Sequence, residues 1–447
     1  MTEPQPPAES SDQSYGWYVV FVLCVAGIVA YIDRQIINLL VDPIKADLAL
    51  SDTQISLLQG FSFAVLYAVA AIPLGRMADS THRVRLIVVG MLAWTLAAVL
   101  CGLADSFVTL FLARMLVGIG EAVLTPAGFS LLADLFPPAR LARPISVFTA
   151  SSFFGSGVAL ISGGYLIEVL STQASVVLPL FGELAVWQAA FVIGALPGLP
   201  VAAWFLLSVR EPTRRAAVAR EDAQRYRQGF AHAARYLRDN ASLFLPLFFG
   251  LALLAAAQFA LGAWVPAFFI RAFGWSASEI GYVQGLLFLG CGAAGVISGG
   301  LITDALQARG RADANLRLAT LCALAAAPCA VVLPFLASGS AAVIPVALSM
   351  FLGTMPFGAG AAIVPMVAPP AFRAQLVALY LLVANLTGLA GGPFLVALLT
   401  DRLFADPAAV GRSLGLAVPG LLLVSALLTG LGWAPLRRKL TGLAAPA

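Results

Sequence analysis

Charge is scarce in this chain. Only 11% of its 447 residues are Asp, Glu, Lys or Arg, while 60% are hydrophobic. Soluble domains carry about 25% charged and about 45–50% apolar residues. The composition therefore excludes a soluble globular protein and predicts a polytopic membrane protein. Cysteine is sparse too. Cys24, Cys101, Cys291, Cys322 and Cys329 all fall in apolar segments and form no CxxC pair, so they read as packing residues, and no metal or redox centre is expected. There is no GxxxxGK[ST] loop for ATP and no nucleophile–base constellation. The chain is read as a non-enzyme without cofactor or metal. The net charge of +4 comes from loop arginines and points to no nucleic-acid partner. Residues 1–16 carry Glu3, Glu9 and Asp12 but no Lys or Arg, so the basic region of a signal peptide is missing and the first apolar segment is expected to be retained.

What the chain has in quantity is long apolar runs. A helix needs ~20 apolar residues to span a bilayer. Twelve such segments are predicted, at 17–40, 54–74, 86–104, 107–133, 144–167, 187–209, 243–270, 280–303, 318–337, 341–368, 374–400 and 413–436. The expected fold is all-α and polytopic, twelve transmembrane helices in two six-helix bundles at 17–209 and 243–437. Cytoplasmic tails at 1–16 and 438–447 flank them, and a linker at 210–242 joins them. Eight Arg and four acidic residues make 210–240 the longest polar connection. Its middle, Ala216 to Leu237, reads equally as a membrane-surface helix or a solvated linker. With both termini cytoplasmic, twenty basic residues lie on the inner side and four (Lys45, Arg271, Arg402, Arg412) on the outer. That bias is a positive-inside signal, and the expected location is the cell (inner) membrane.

Four formal charges remain within the spans: Asp33 and Arg34 in the first, Arg114 and Glu121 in the fourth. Arg114 and Glu121 are seven residues apart, almost two helical turns, and so share a face. Charges at membrane depth are costly and usually mark a substrate or ion pathway. The competing reading is an ion-pair network that only fixes packing. If Arg114 exchanges partners between Asp33 and Glu121, one carboxylate changes its charge with conformation, which supplies a two-state element. Gly118 and Gly120 clear space beside Glu121, and Pro126 loosens the helix after it. Thr125, one turn on, can bond Glu121. Tyr31 and Asn38 share a face with Arg34.

The two halves repeat. SDTQISLLQG at 51–60 aligns with SASEIGYVQG at 276–285, and the same offset of 225 residues pairs Gly75 with Gly300 and Asp79 with Asp304. The offset predicts two bundles related by an axis along the membrane normal, with the transport site near the midplane. It also pairs Asp33 with Gln258, so the second half has no buried charge of its own, and proton or ion coupling is expected in the first half. Gln258, Trp264, Gln284, Tyr380 and Asn385 are candidate cavity residues of the second half. Taken singly, each reads more readily as a satisfied packing group than as a cavity residue.

The loop GRMADSTHRVR, Gly75 to Arg85, resembles the signature loop of the major facilitator superfamily. Gly75, Asp79, Arg83 and Arg85 match it, while Ser80 and His82 depart from it. Asp304 continues the pattern in the second half. The resemblance implies a conformational latch in which the Asp caps a neighbouring helix and pairs with an Arg. Ala113 to Phe148, YIDRQIINLL at 31–40, LSDTQISLLQG at 50–60, FGWSASEIG at 273–281 and NLTGLAGGP at 385–393 look like the Spinster family. That resemblance implies an alternating-access secondary transporter, symport or antiport, of amphiphilic substrates such as lysophospholipids or sphingoid lipids. It ties Asp33, Arg34, Arg114 and Glu121 to proton sensing. The expected partners are a small amphiphile, protons and membrane lipids, with the chain a monomer. An organic-anion symporter would want excess positive charge, whereas the four buried charges sum to zero. A multidrug exporter would want a fifth-span Pro after Gly163 and Gly164, and none is there.

Overall fold

A computed structural model describes residues 9–137, 140–173, 175–213, 235–369 and 373–444. Among them, eleven helices are long and apolar enough to cross a membrane, and the tenth expected span is present in two pieces, Gly339–Thr354 and Ala359–Val367. The protein is thus an all-helical, twelve-span membrane protein. A bilayer offers backbone groups no water, so each segment must bond its own amides and carbonyls. The surface helix weighed for Ala216 to Leu237 falls almost wholly outside the described residues.

Helix starts are written in the sequence. Ser51 and Gln54 form a reciprocal capping box at the start of the second span, and Ser276 and Glu279 form another at the start of the eighth. These two boxes are related by the 225-residue offset, so the repeat extends to the capping chemistry. Breaks follow proline and glycine. The sixth span divides into Val186–Ala195 and Gly198–Ser208 around Pro197. The tenth divides between Thr354 and Ala359, around Pro356 and Gly358. The fourth divides into Phe107–Glu121 and Leu124–Leu135 directly after Glu121. Pro126 explains this last break, since its ring excludes a carbonyl one turn earlier. Among the described residues, four segments widen into π-helix: Leu57–Phe61, Phe288–Gly292, Leu386–Gly391 and Leu399–Phe404.

One element departs from the helical expectation. Val176–Leu178 and Gly182–Leu184 pair antiparallel as a short hairpin between the fifth and sixth spans. Its inward residues Val176 and Leu184 pack on Ala189 and Val192. Three-residue strands are too short for their alternation to register in a hydropathy pattern.

The chain forms two compact units. The first holds residues 1–36 and 65–217, the second 37–64 and 218–447. Residues 37–64, although early in the sequence, therefore group with the second unit. In the first unit the third and fourth spans cross very closely: a Cβ on Gly120 would lie 2.7 Å from the Trp94 amide nitrogen. Only glycine permits that approach. In the second unit, Leu243, Phe244, Leu247, Ile363 and Leu376 form a buried apolar cluster that includes Tyr380.

Candidate functional site

The site grows from the first and fourth spans of the first unit. Asp33, Arg114 and Glu121 are all buried. Arg114 donates from Nη1 to the main-chain carbonyl of Asp33 at 2.8 Å. Glu121 pairs through Oε2 with Nη2 of Arg34. Glu121 is thus paired with Arg34, a partner that the expected exchange of Arg114 between Asp33 and Glu121 did not include. The reason is geometric: Arg34 reaches across from the first span to the end of Phe107–Glu121, where the helix breaks. Among the described residues, one oxygen of each acid, Asp33 Oδ1 and Glu121 Oε1, has no hydrogen-bond partner.

The Arg34 guanidinium lies 4.7 Å from the Tyr31 ring centroid and 5.7 Å from that of Tyr67. Both distances fall within cation–π range. Tyr31 therefore sits where the sequence suggested. Thr125 does not bond Glu121; its Oγ1 lies 3.4 Å from the Tyr67 hydroxyl. Tyr67 was not singled out from the sequence, because an aromatic in an apolar span looks like any other packing residue. Asn38 belongs to the second unit, where its Oδ1 accepts from Gln59 Nε2 at 3.0 Å.

A cluster of this kind holds a cation and an anion in a dry setting, with aromatic faces around the cation. It can store or release one charge. Protonating Glu121 would cancel the pair and leave Arg34 held by its rings alone.

The model of the Major Facilitator Superfamily matches residues 23–393. The chain belongs to the major facilitator superfamily. It is 31% identical over 430 residues to an "MFS-type efflux pump" of Mycolicibacterium smegmatis, covering 95% of this chain and 94% of that one. It is 27% identical over 418 residues to "Protein spinster homolog 3" of Danio rerio, covering 89% and 79% respectively. Among solved structures it resembles a bacterial homologue of the human lysosomal transporter Spinster, in an inward-facing and unoccupied conformation. The TM-score is 0.79 at 25% identity, covering 97% of this chain and 99% of that one. The resemblance to Spinster is thereby supported in both sequence and fold. The protein is a multi-pass membrane transporter of this superfamily, not an enzyme.

The superfamily's signature loop has its own arrangement here. Arg83 is buried and pairs with Asp134 and with Glu211, at 2.7 Å. It also donates to the carbonyls of Ser130 at 3.0 Å and Pro212 at 3.2 Å. Glu211 in turn accepts from the Val84 amide at 3.0 Å. His82 caps the third span, its Nδ1 accepting from the Arg85 amide at 3.3 Å. Asp79, Arg85 and Asp304 are exposed and form no ion pair among the described residues. Gly75 faces Pro126, with room for a Cβ. The arginine of the motif is therefore the anchored member, and Asp134 and Glu211 are partners that motif matching missed.

In the second unit the candidate cavity residues are dispersed. Trp264 donates to the Pro393 carbonyl at 2.9 Å, and Gln284 to the Gly262 carbonyl at 3.0 Å. Gln258 bonds the Ser349 carbonyl at 3.3 Å. Tyr380 packs edge-on to Phe248. Asn385 starts the π-helical segment Leu386–Gly391 and is half-buried. Four of the five thus satisfy a neighbouring carbonyl or ring.

Proposed function

We propose that the protein is a proton-coupled secondary transporter that moves an amphiphilic, lipid-like molecule across the cell membrane by alternating access. Both termini would face the cytoplasm. The observation that carries the coupling assignment is the pair of the buried Glu121 with Arg34, flanked by Tyr31 and Tyr67 and by the buried side chain of Asp33. A buried ion pair next to hydrogen-bonding vacancies is poorly suited to stability alone, because desolvation offsets most of its Coulomb gain. It suits a group whose charge changes during a cycle. Arg114, fixed on the Asp33 carbonyl, would be the standing counter-charge. Arg83, clamped by Asp134 and Glu211, would fix the loop after the second span, which also carries the half-buried Gly75 and the exposed Asp79 and Arg85, while Asp304 would hold the matching place in the loop after the eighth.

The amphiphile follows from the resemblance to Spinster and fits a site with one charged end and apolar surroundings. A second reading, export of drug-like compounds, is favoured by the mycobacterial relative bearing the name of an efflux pump. An uptake panel in proteoliposomes separates them. Lysophospholipids and sphingoid bases should be transported in response to an inward acid gradient. Transport of lipophilic cations, with no lipid moved, would replace the lipid reading by the drug reading. Transport of organic acids alone would overturn both.

A further inference from the structure

The short hairpin between the fifth and sixth spans plays no part in the charge cluster, and it lies wholly within the first unit. Its strands pair Val176 with Leu184, Val177 with Glu183 and Leu178 with Gly182. The tip, Pro179 to Phe181, is closed by the Phe181 amide, which donates to the Leu178 carbonyl at 3.1 Å. Gly182 follows with φ +76°, a left-handed conformation that a side chain would strain. Side chains alternate between the two faces of such a ladder. One face turns inward, where Val176 and Leu184 pack with Ala189, Val192 and Val99. The other face and the tip are apolar and open: Val177 is 72% exposed, Leu180 90% and Phe181 37%. Among the described residues, no large hydrophobic side chain is more exposed than Leu180.

The inward contacts set the depth of the hairpin. Val192 is six residues past Val186, where the sixth span begins, so it lies about 9 Å along that helix. Val99 is likewise inside the third span, Arg83–Gly102. The hairpin therefore leans on the flanks of two membrane-spanning helices. Those helices turn Leu92, Leu96 and Leu100 of the third span and Leu196 and Leu199 of the sixth outward. In a membrane protein such surfaces meet lipid, and the open face of the hairpin continues them. Charge is almost absent. Residues 171–185 hold one charged side chain, Glu183, whose carboxylate accepts from the Ser175 hydroxyl at 2.5 Å. The backbone limits how deep the segment can go. The sheet has only two strands, so each has an unpaired edge, and unpaired amides and carbonyls are excluded from the hydrocarbon. Only the side chains can enter it.

We propose that the hairpin is a lipid anchor. Its strands lie among the phospholipid headgroups, and Val177, Leu180 and Phe181 dip into the acyl chains beneath. Three spans separate the hairpin from the Gly75–Arg85 loop, so it anchors in the opposite leaflet, the outer one on the orientation proposed above.

The test uses the full-length protein in phosphatidylcholine nanodiscs, with the native cysteines replaced and a single spin-labelled cysteine. Collisions of the label with oxygen, which concentrates among acyl chains, are compared with collisions with a polar nickel chelate, which stays in water. Leu92→Cys, midway along the third span, gives the lipid limit, and Asp105→Cys, exposed in the loop after that span, gives the water limit. At Leu180→Cys the oxygen-to-nickel ratio should stand several-fold above that at Asp105→Cys and below that at Leu92→Cys. Val177→Cys, a second reporter on the open face, should read the same way. Adding Leu180→Asp should lower the ratio at Val177→Cys toward the water limit, because a carboxylate at the tip resists entry into the acyl chains. Ratios at Leu180→Cys and Val177→Cys equal to that at Asp105→Cys overturn the anchor by placing the hairpin in water. Slow collisions with both reagents overturn it as well, by placing the tip against a second copy of the chain.

Discussion

Replacing Glu121 by Gln keeps the shape of the side chain and removes its charge. In the wild type that charge faces Arg34, with the carboxylate buried and the guanidinium about one-fifth exposed. Losing one partner of a fully buried pair costs about 3–5 kcal/mol. The partial exposure of Arg34 returns some solvation, and the rings of Tyr31 and Tyr67 each retain about 0.5–2 kcal/mol of cation–π attraction. A net loss of about 2 kcal/mol is expected, or roughly a thirtyfold change in any equilibrium that makes or breaks the pair. The assay is a double-mutant cycle with Arg34→Gln, read by thermal unfolding in detergent at neutral pH. The single variants should each lose stability, and the double variant should recover about 2 kcal/mol against their sum. The pH dependence gives the sign. Acid protonates Glu121 and makes the wild type resemble Glu121→Gln, so the two should converge as pH falls and separate as it rises. A coupling energy near zero, or a difference that grows toward acid, would refute the pairing as the charge-sensitive element.

Three further outcomes follow from the same geometry. Tyr67→Phe keeps the ring over Arg34 and loses the hydroxyl that meets Thr125, so transport should fall less than threefold, about 0.6 kcal/mol, whereas Tyr67→Ala should shift the pH profile of transport. Arg83→Ala strands Asp134 and Glu211 and should cost about 3 kcal/mol by thermal unfolding. Asp79→Ala, at an exposed residue without an ion pair, should stay within about 0.5 kcal/mol; equal losses for the two would show that the loop is anchored elsewhere. Gly120→Ala places a methyl against the Trp94 backbone and should cost about 3 kcal/mol, with reduced yield of folded protein; a neutral result would mean that the third and fourth spans separate readily.

The twelve spans were legible because bilayer thickness imposes one length on every apolar run. The repeat was legible because capping chemistry is local: Ser51 with Gln54 and Ser276 with Glu279 announce the same helix start twice. The break after Glu121 was only partly so, since Pro126 says that a helix is weakened but not where the chain turns, and the break at Pro197 was not read from the sequence. For the site, charge rarity picked out Asp33, Arg34, Arg114 and Glu121, and the structure gathers them. Pairing was not legible. Helical spacing relates residues on one span, whereas Arg34–Glu121 and Arg83–Glu211 join different ones. Tyr67 and Gln59 were missed because neither shares a helix with the four charges, and only the packing of different spans shows what each one meets.

Proton movement in proteoliposomes tests the central claim most directly. With an internal pH dye and the amphiphile identified by the uptake panel, substrate addition to the wild type should drive a pH change, and an imposed pH gradient should drive substrate beyond equilibrium. Glu121→Gln should still equilibrate substrate down its own gradient but move no protons and reach no uphill accumulation. Uphill, proton-linked transport by Glu121→Gln would contradict the account, as would wild-type transport indifferent to the gradient.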